Sequence, residues 1–238
     1  MSKILCGDAL EILKTLPPCS VNMCVTSPPY YGLRDYGIDR QIGTEDSPAL
    51  YIEKLVDVFS EVYRILRKDG TLWINIADSY AGSGKGGWNT PLKSGISQQL
   101  YNPKSFNMPK KWKGIKAKDM IGIPWSLAFS LRDYGWYLRS DIIWQKSNCM
   151  PESVKDRPSK SYEHIFLLAK SKKYYYDYQS IQVPAAQSSI ERAKRAVSNI
   201  GKYANGIECQ NMQAIFLPRD HSKELTMRNK RDVWTVST

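Results

Sequence analysis

The stretch Thr26-Ser27-Pro28-Pro29-Tyr30 decides how the rest of the chain is read. It ends the apolar run Val21-Asn22-Met23-Cys24-Val25, which has the character of a buried strand, and its two prolines stop that strand abruptly. Proline has no N–H and a fixed φ, so this turn offers carbonyls held in place and few donors. A hydroxyl at Ser27, rigid carbonyls and the flat ring of Tyr30 suit a planar group that carries an amine. Such a group needs acceptors for its N–H bonds and an aromatic face to lie on. Four residues alone also fit a plain proline-terminated strand, so the flanks have to decide.

Upstream, Lys3 to Cys6 reads as a short strand ending at Gly7-Asp8, and Leu10, Ile12, Leu13 and Leu16 form a helical stripe closed by Pro17-Pro18. Asp8 has two readings. It is either the N-cap of that helix or an acid at a strand tip, aimed into the crevice where α/β proteins bind ligands. Downstream, residues 31–44 are a loop rich in Gly, Asp and Arg. A helix follows, with Ser47 as N-cap and Pro48 at its first position. Tyr51, Leu55, Val58, Val62 and Ile65 share its apolar face, and Gly70 is its stop. Thr71 to Ala77 is apolar enough for a strand buried on both faces. Strand, helix and strand on short connections make a βαβ unit, hence a largely parallel sheet and the α/β class.

Beyond Ala77 the chain runs Asp78-Ser79-Tyr80-Ala81-Gly82-Ser83-Gly84, containing Gly82-x-Gly84-x-x-Gly87. A cofactor-cradling glycine loop leads straight into a helix, whereas this one meets Trp88, Asn89, Thr90 and Pro91, so it reads better as a loop on the rim of a site. Residues 85–118 hold eight lysines and no acid, with Phe106 and Trp112 interleaved. The segment is either a solvated loop or a clamp whose lysines, Lys110, Lys111, Lys113, Lys116 and Lys118 above all, neutralise phosphates. A helix with Pro124 in its first turn and Leu127, Leu131 and Tyr134 on one face ends at Gly135. Strands are expected at 136–145 and 164–170, the latter pairing with 173–178 as an antiparallel hairpin. From Pro184 the chain is polar and basic, with Arg192, Lys194 and Arg195 close together.

The balance of 34 Lys and Arg against 23 Asp and Glu, formally +11, favours a polyanionic partner. Five cysteines without a Cys-x-x-Cys pair, and two histidines, His164 and His221, argue for reduced thiols and against a metal centre or a histidine-based catalyst. No stretch has the length of a membrane span and Met1-Ser2-Lys3 opens no signal peptide, so a cytoplasmic location is expected.

Gly7-Asp8, Ser27-Pro28-Pro29-Tyr30 and the run Tyr31-Gly32-Leu33-Arg34-Asp35-Tyr36-Gly37 together resemble the amino-methylating DNA methyltransferases, specifically their phage and bacterial site-specific members. Residues 144–153, from Trp144 to Ser153, and 159–164, from Ser159 to His164, resemble the same group. The resemblance implies a Rossmann-like methyltransferase fold, a mostly parallel sheet with a C-terminal antiparallel hairpin. It also implies S-adenosylmethionine as cofactor and double-stranded DNA as partner, in a bacterial or phage-infected cell. Residues 1–180 form the expected catalytic domain, with a basic insertion at 81–119, and 181–238 the target-recognition region.

By the same resemblance Ser27, Pro28, Pro29 and Tyr30 are catalytic, and Asp8, Thr26 and Ser27 touch the cofactor. Trp144 and Asn148 either line the pocket of an extruded base or are a core Trp and a turn Asn. Ser at position 27 leans toward the N4 amine of cytosine, with the N6 amine of adenine as alternative. In this group the cofactor strand and its glycine loop follow target recognition. They are expected from a further segment or a partner copy, without which the strand at 21–25 keeps an unpaired edge. A non-catalytic DNA-binding half is the other reading.

Overall fold

The computed structural model describes residues 3–81, 114–149, 152–192 and 227–237. They fall into two compact units, one of residues 1–175 and 232–238, the other of residues 176–231.

The larger unit is built on a five-stranded sheet. Its strands are β1 (Val21–Thr26), β2 (Leu66–Ile76), β3 (Tyr137–Lys146), β4 (Tyr162–Ala169) and β7 (Val233–Val236), in the order β1-β2-β4-β3-β7. β1 runs parallel to β2, and β7 parallel to β3. β4 is antiparallel to both of its neighbours, β2 and β3. Four strands therefore run one way and β4 alone runs against them. The antiparallel hairpin is β3 with β4, not β4 with residues 173–178. Those residues form no strand, because the open side of β4 is already taken by β2. β7 returns to this sheet from the polar C-terminal region.

Helices α2 (Pro48–Ile65) and α3 (Ile123–Tyr134) cover the sheet, and α1 (Ala9–Thr15) packs against α2. Ser47 caps α2 by accepting from the Leu50 N–H, with Pro48 in the first turn, as its sequence signals require. The buried face is Tyr51, Ile52, Leu55, Phe59, Val62 and Ile65; Phe59 takes the place expected of Val58, which is half-buried. The helix ends at Ile65 rather than at Gly70, since β2 begins at Leu66 without a loop. The register between β1 and β2 slips there, from Val21 opposite Leu66 to Met23 opposite Thr71, and Gly70 sits in that irregular part. On α3 the buried residues are Ile123, Pro124, Leu127, Ala128 and Leu131, and Gly135 closes it. Tyr134 is exposed, although its ring meets Tyr63 edge-on. Leu72, Ile74, Ile76, Phe166 and Leu168 complete the core between sheet and helices. Alternation along the strands sends them to one face.

Residues 3–6 are not a strand. Ile4 is 93% exposed and, among the described residues, no ladder forms there; a four-residue strand without a partner has nothing to hold it. α1 follows with Asp8 as its N-cap, accepting from the Glu11 N–H at 3.1 Å. Arg64 of α2 closes its other end by donating to the Leu13 and Leu16 carbonyls at 2.9 and 3.0 Å. β1 lies at the end of the sheet, with Met23 55% and Val25 68% exposed.

In the smaller unit β5 (Val183–Pro184) pairs antiparallel with β6 (Met227–Arg228), and residues 187–192, which include Arg192, are helical. Among the described residues no helix is long and apolar enough to cross a membrane.

Candidate active site

The carboxyl ends of β1, β2 and β3 and the first residues of β4 meet at one end of the sheet. That is where α/β sheets bind ligands. The Ser27–Tyr30 turn leaves β1 there. Pro28 is buried, Ser27 and Pro29 are exposed and Tyr30 is half-buried. Ser27, Pro28, Pro29 and Tyr30 line a cleft of about 260 Å³ together with Leu33, Arg34 and Tyr36 from the following loop.

The turn is held from its helical side by Tyr51. That side chain is fully buried and donates to the Pro29 carbonyl at 2.7 Å. Burial, and then the nearby Glu45 carboxylate, push its phenol far above the usual tyrosine range, so it stays a donor. Tyr31, also buried, donates to the Glu45 carbonyl at 3.1 Å, and the Glu45 carboxylate accepts from the Gly43 N–H at 2.8 Å and pairs with Lys54 at 3.0 Å. Gly43 has φ +104°, and a Cβ there would lie 3.0 Å from the Tyr30 carbonyl oxygen, so only glycine lets the loop close against the turn.

From the sheet side, Tyr30 donates to Glu163 Oε2 at 2.6 Å. Asn75 Nδ2 donates to the same Glu163 oxygen at 2.8 Å and to the Tyr30 oxygen at 3.1 Å, and Lys146 donates to Glu163 Oε1. Ser27 Oγ donates to the Tyr30 oxygen over 3.4 Å. Burial favours the neutral form of Glu163, but the bonds from Lys146, Tyr30 and Asn75 and the Lys146 charge outweigh it and hold the carboxyl below its ordinary range. Burial and then the bond to Glu163 raise the Tyr30 phenol. The pair is thus a neutral phenol donating to a carboxylate. Lys146 also lies 5.1 Å from the centre of the Trp144 ring.

Asp78, just past β2, accepts from the Gly122 and Ile123 N–H groups and so caps α3 from a distance. Lys160 donates to the Asp78 carbonyl at 3.1 Å, and burial lowers its ammonium below the usual lysine range. Beside it, a cavity of about 800 Å³ is lined by Tyr80, Lys118, Lys155, Asp156 and Arg157, among others. Arg157 stacks 3.9 Å from the centre of the Tyr80 ring and pairs with Glu152 at 2.7 Å.

Ser27, Pro28, Pro29 and Tyr30 thus stand together on the wall of one cleft. Asp8 is occupied as a helix cap, and neither Asp8 nor Thr26 lines the cleft. Trp144 is half-buried, hydrogen-bonded to the Val236 carbonyl at 3.4 Å and joined to the cluster through Lys146; Asn148 is exposed. Of the basic residues, Lys116, Lys118 and Arg192 are exposed, and Lys118 pairs with Asp156 at 2.7 Å. Lys110, Lys111, Lys113, Lys194, Arg195 and the Gly82–Gly87 stretch lie outside the described residues. Asn75, Lys146 and Glu163 are not among the expected site residues, and Tyr51 is expected only on the apolar face of its helix. Lys146 and Glu163 do fall within the runs 144–153 and 159–164, and alternation puts Asn75 on β2, Lys146 on β3 and Glu163 on β4 on one face of the sheet. Among the described residues no group of three His, Cys, Asp or Glu is placed to hold a metal ion.

Residues 21–237 match a family model described as DNA methylase, of the N6/N4 methyltransferase type. The Type II methyltransferase M.Cfr9I of Citrobacter freundii is 50% identical over 194 residues, which are 82% of this chain and 62% of that protein. M.SmaI of Serratia marcescens is 50% identical over 199 residues, 83% of this chain and 66% of that one. The chain therefore spans about three fifths to two thirds of the length of these relatives. Among solved structures, the PvuII DNA methyltransferase (cytosine-N4-specific) superposes with a TM-score of 0.50 at 16% identity, covering 74% of this chain and 51% of that one. At that identity the likeness concerns the fold.

Proposed function

Since the chain belongs to the N6/N4 family of DNA methylases, whose methyl donor is S-adenosylmethionine, we propose that its complete protein methylates the exocyclic amine of a base in double-stranded DNA, cytosine N4 in particular. The observation that carries this is the Ser27–Tyr30 turn, placed at the carboxyl end of β1 and held from both sides.

An exocyclic amine lies inside the duplex stack, so the base has to be extruded to reach this turn. Its nitrogen lone pair is delocalised into the ring and is a poor nucleophile. Hydrogen bonds from the amine to Ser27 Oγ and the Pro28 carbonyl favour a pyramidal nitrogen with its lone pair directed outward. The Pro29 carbonyl is already used by Tyr51, which leaves that of Pro28 for the amine. Tyr30 offers the ring on which the base stacks. When bound, S-adenosylmethionine supplies an activated sulfonium methyl, so the protein's part is orientation and placed dipoles. No covalent link to the protein is required. Cys24 fits that: burial raises its thiol, which makes it a weak nucleophile.

The fit to the cofactor is partial. The cleft of about 260 Å³ is below the roughly 300–1,000 Å³ of sites that enclose a drug-sized ligand, so Ser27 and Pro28 supply one wall. The exposed Met23 and Val25 favour a further segment of the complete protein, or a partner copy, alongside β1. Lysines of the 81–119 insertion and the rim around Tyr80 and Arg157 are the proposed DNA-facing surface.

The test is made on the complete protein. Ser27→Ala and Tyr30→Ala should abolish most methyl transfer with DNA retention little changed, and digested product DNA should contain N4-methylcytosine by mass spectrometry. N6-methyladenine alone would show that Ser27 does not set base choice. Undiminished transfer in both variants, or 5-methylcytosine as product, refutes the mechanism.

A further inference from the structure

We propose that Glu163, clamped between Lys146 and Asn75, is a positioning residue that anchors the Tyr30 ring by its hydroxyl. The inference rests on the amine-binding reading of the Ser27–Tyr30 turn and assigns the group that makes the turn rigid.

Three strands contribute to it. Glu163 lies opposite Trp144 in the β3–β4 register, so Lys146, two residues on, projects from the same face. Asn75 lies opposite Ile165, two residues from Glu163, and shares that face too. All three reach the end of the sheet from which the turn leaves β1. Both Glu163 oxygens are used, Oε1 by Lys146 and Oε2 by Tyr30 and Asn75, and its side chain is 11% exposed. Pairing with Lys146 alone would need one oxygen; the second is spent on the phenol.

Tyr30 needs such a tether. Its neighbour Tyr31 is 1% exposed and is fixed by packing, whereas Tyr30 is only half-buried and borders an open cleft. A side chain with two free torsions in that position keeps its rotational freedom unless its far end is bonded. The hydroxyl is that far end, and a bond there stops the first torsion and so fixes where the ring lies. Lys146 keeps Glu163 anionic and therefore acceptor-only, which fixes the direction of the bond: the phenol donates. A base stacking on the ring then meets a surface whose ordering cost has already been met in the free protein.

The test combines a double-mutant cycle with a spectroscopic readout. In the complete protein, Glu163→Gln and Tyr30→Phe should each lower the single-turnover rate of methyl transfer by roughly tenfold, the loss of one charge-assisted hydrogen bond. DNA Kd should stay within about threefold, and the double variant should be no slower than the slower single one. Rate losses that multiply in the double variant overturn the proposal, because Glu163 would then act by a route other than Tyr30. Independently of activity, the 238-residue chain labelled with ¹³Cζ-tyrosine should show a Tyr30 signal, identified by its loss in Tyr30→Phe, that moves in Glu163→Gln. An unmoved signal overturns the contact even if the protein methylates DNA. A moved signal in a complete protein that transfers no methyl group overturns the reading of the turn and upholds the contact. Lys146→Met, which removes the charge partner and leaves Tyr30 intact, should move the same signal in the same direction and serves if Glu163→Gln does not fold.

Discussion

Tyr51→Phe isolates the helical half of the clamp on the Ser27–Tyr30 turn. The substitution removes one oxygen and keeps the ring in the core, where Tyr51 is fully buried, so no side-chain-sized cavity opens. What disappears is the 2.7 Å bond to the Pro29 carbonyl. A neutral hydrogen bond contributes about 0.5–1.5 kcal/mol, and a carbonyl left only partly in reach of water adds some desolvation, for a total of roughly 1–2 kcal/mol. In a unit of this size each kcal/mol moves Tm by about 2–4 °C, so a fall of about 2–8 °C is expected. Urea and thermal unfolding of the 238-residue chain, followed by tryptophan fluorescence, measure it directly. Tyr134→Phe is the control, since Tyr134 is exposed and its hydroxyl makes none of the turn's contacts; its Tm should not move. A Tyr51→Phe chain as stable as its parent would refute the idea that this bond holds the turn.

Two further outcomes are expected. Glu163 has a carboxyl held below its ordinary value of 4.5, so its contribution to stability is present above that pH and is lost as pH falls through the lower folded-state value. The stability gap between the parent chain and Glu163→Gln, measured by urea unfolding, should therefore be largest near neutrality and close in acid; a gap that widens below pH 4.5 contradicts the assignment. Neutralising Lys110, Lys111, Lys113, Lys116 and Lys118 together should weaken binding to all DNA sequences alike and flatten its dependence on salt concentration. Lys118, already paired with Asp156, should contribute less than the others, and an unchanged salt slope would mark the cluster as solvated surface.

What could be read from the sequence was what is local. α2 has a side-chain N-cap, α3 a closing glycine, and both have a proline in the first turn and a 3.6-residue stripe; both form there, although α2 ends at Ile65, before its expected stop at Gly70. β1 and its turn announce themselves through an apolar run and two prolines. What failed were pairings between distant residues. A short loop between apolar and tyrosine-rich runs resembles a hairpin, so the sequence points to 173–178 as the partner of β4. The strands that flank it are β2 and β3, both earlier in the chain. Residues 3–6 have strand composition but no ladder to join. The same limit applies to the site. Ser27 to Tyr30 are contiguous and could be recognised, whereas Glu163 is 133 residues from Tyr30, 88 from Asn75 and 17 from Lys146. Nothing in a linear pattern ties them together, and Glu163 read by itself is one more acid in a charged stretch.

That separation also explains how a precise turn can sit on the least covered strand. β1 is at the end of the sheet and exposes Met23 and Val25, so it does not hold its own C-terminal residues by packing. The turn takes its rigidity from elsewhere. The prolines remove backbone freedom in the unfolded and folded chain alike. Tyr51, on α2, fixes the Pro29 carbonyl, and Gly43 lets the following loop close on the Tyr30 carbonyl. Glu163, on β4, holds the Tyr30 hydroxyl. These supports come from the helix layer on one side and the inner strands on the other, and none of them uses the outer edge of β1. The geometry offered to an amine is therefore set independently of whatever lies along that edge. On the proposed function, a segment docking there completes a cofactor site without having to build the turn assigned to orienting the base.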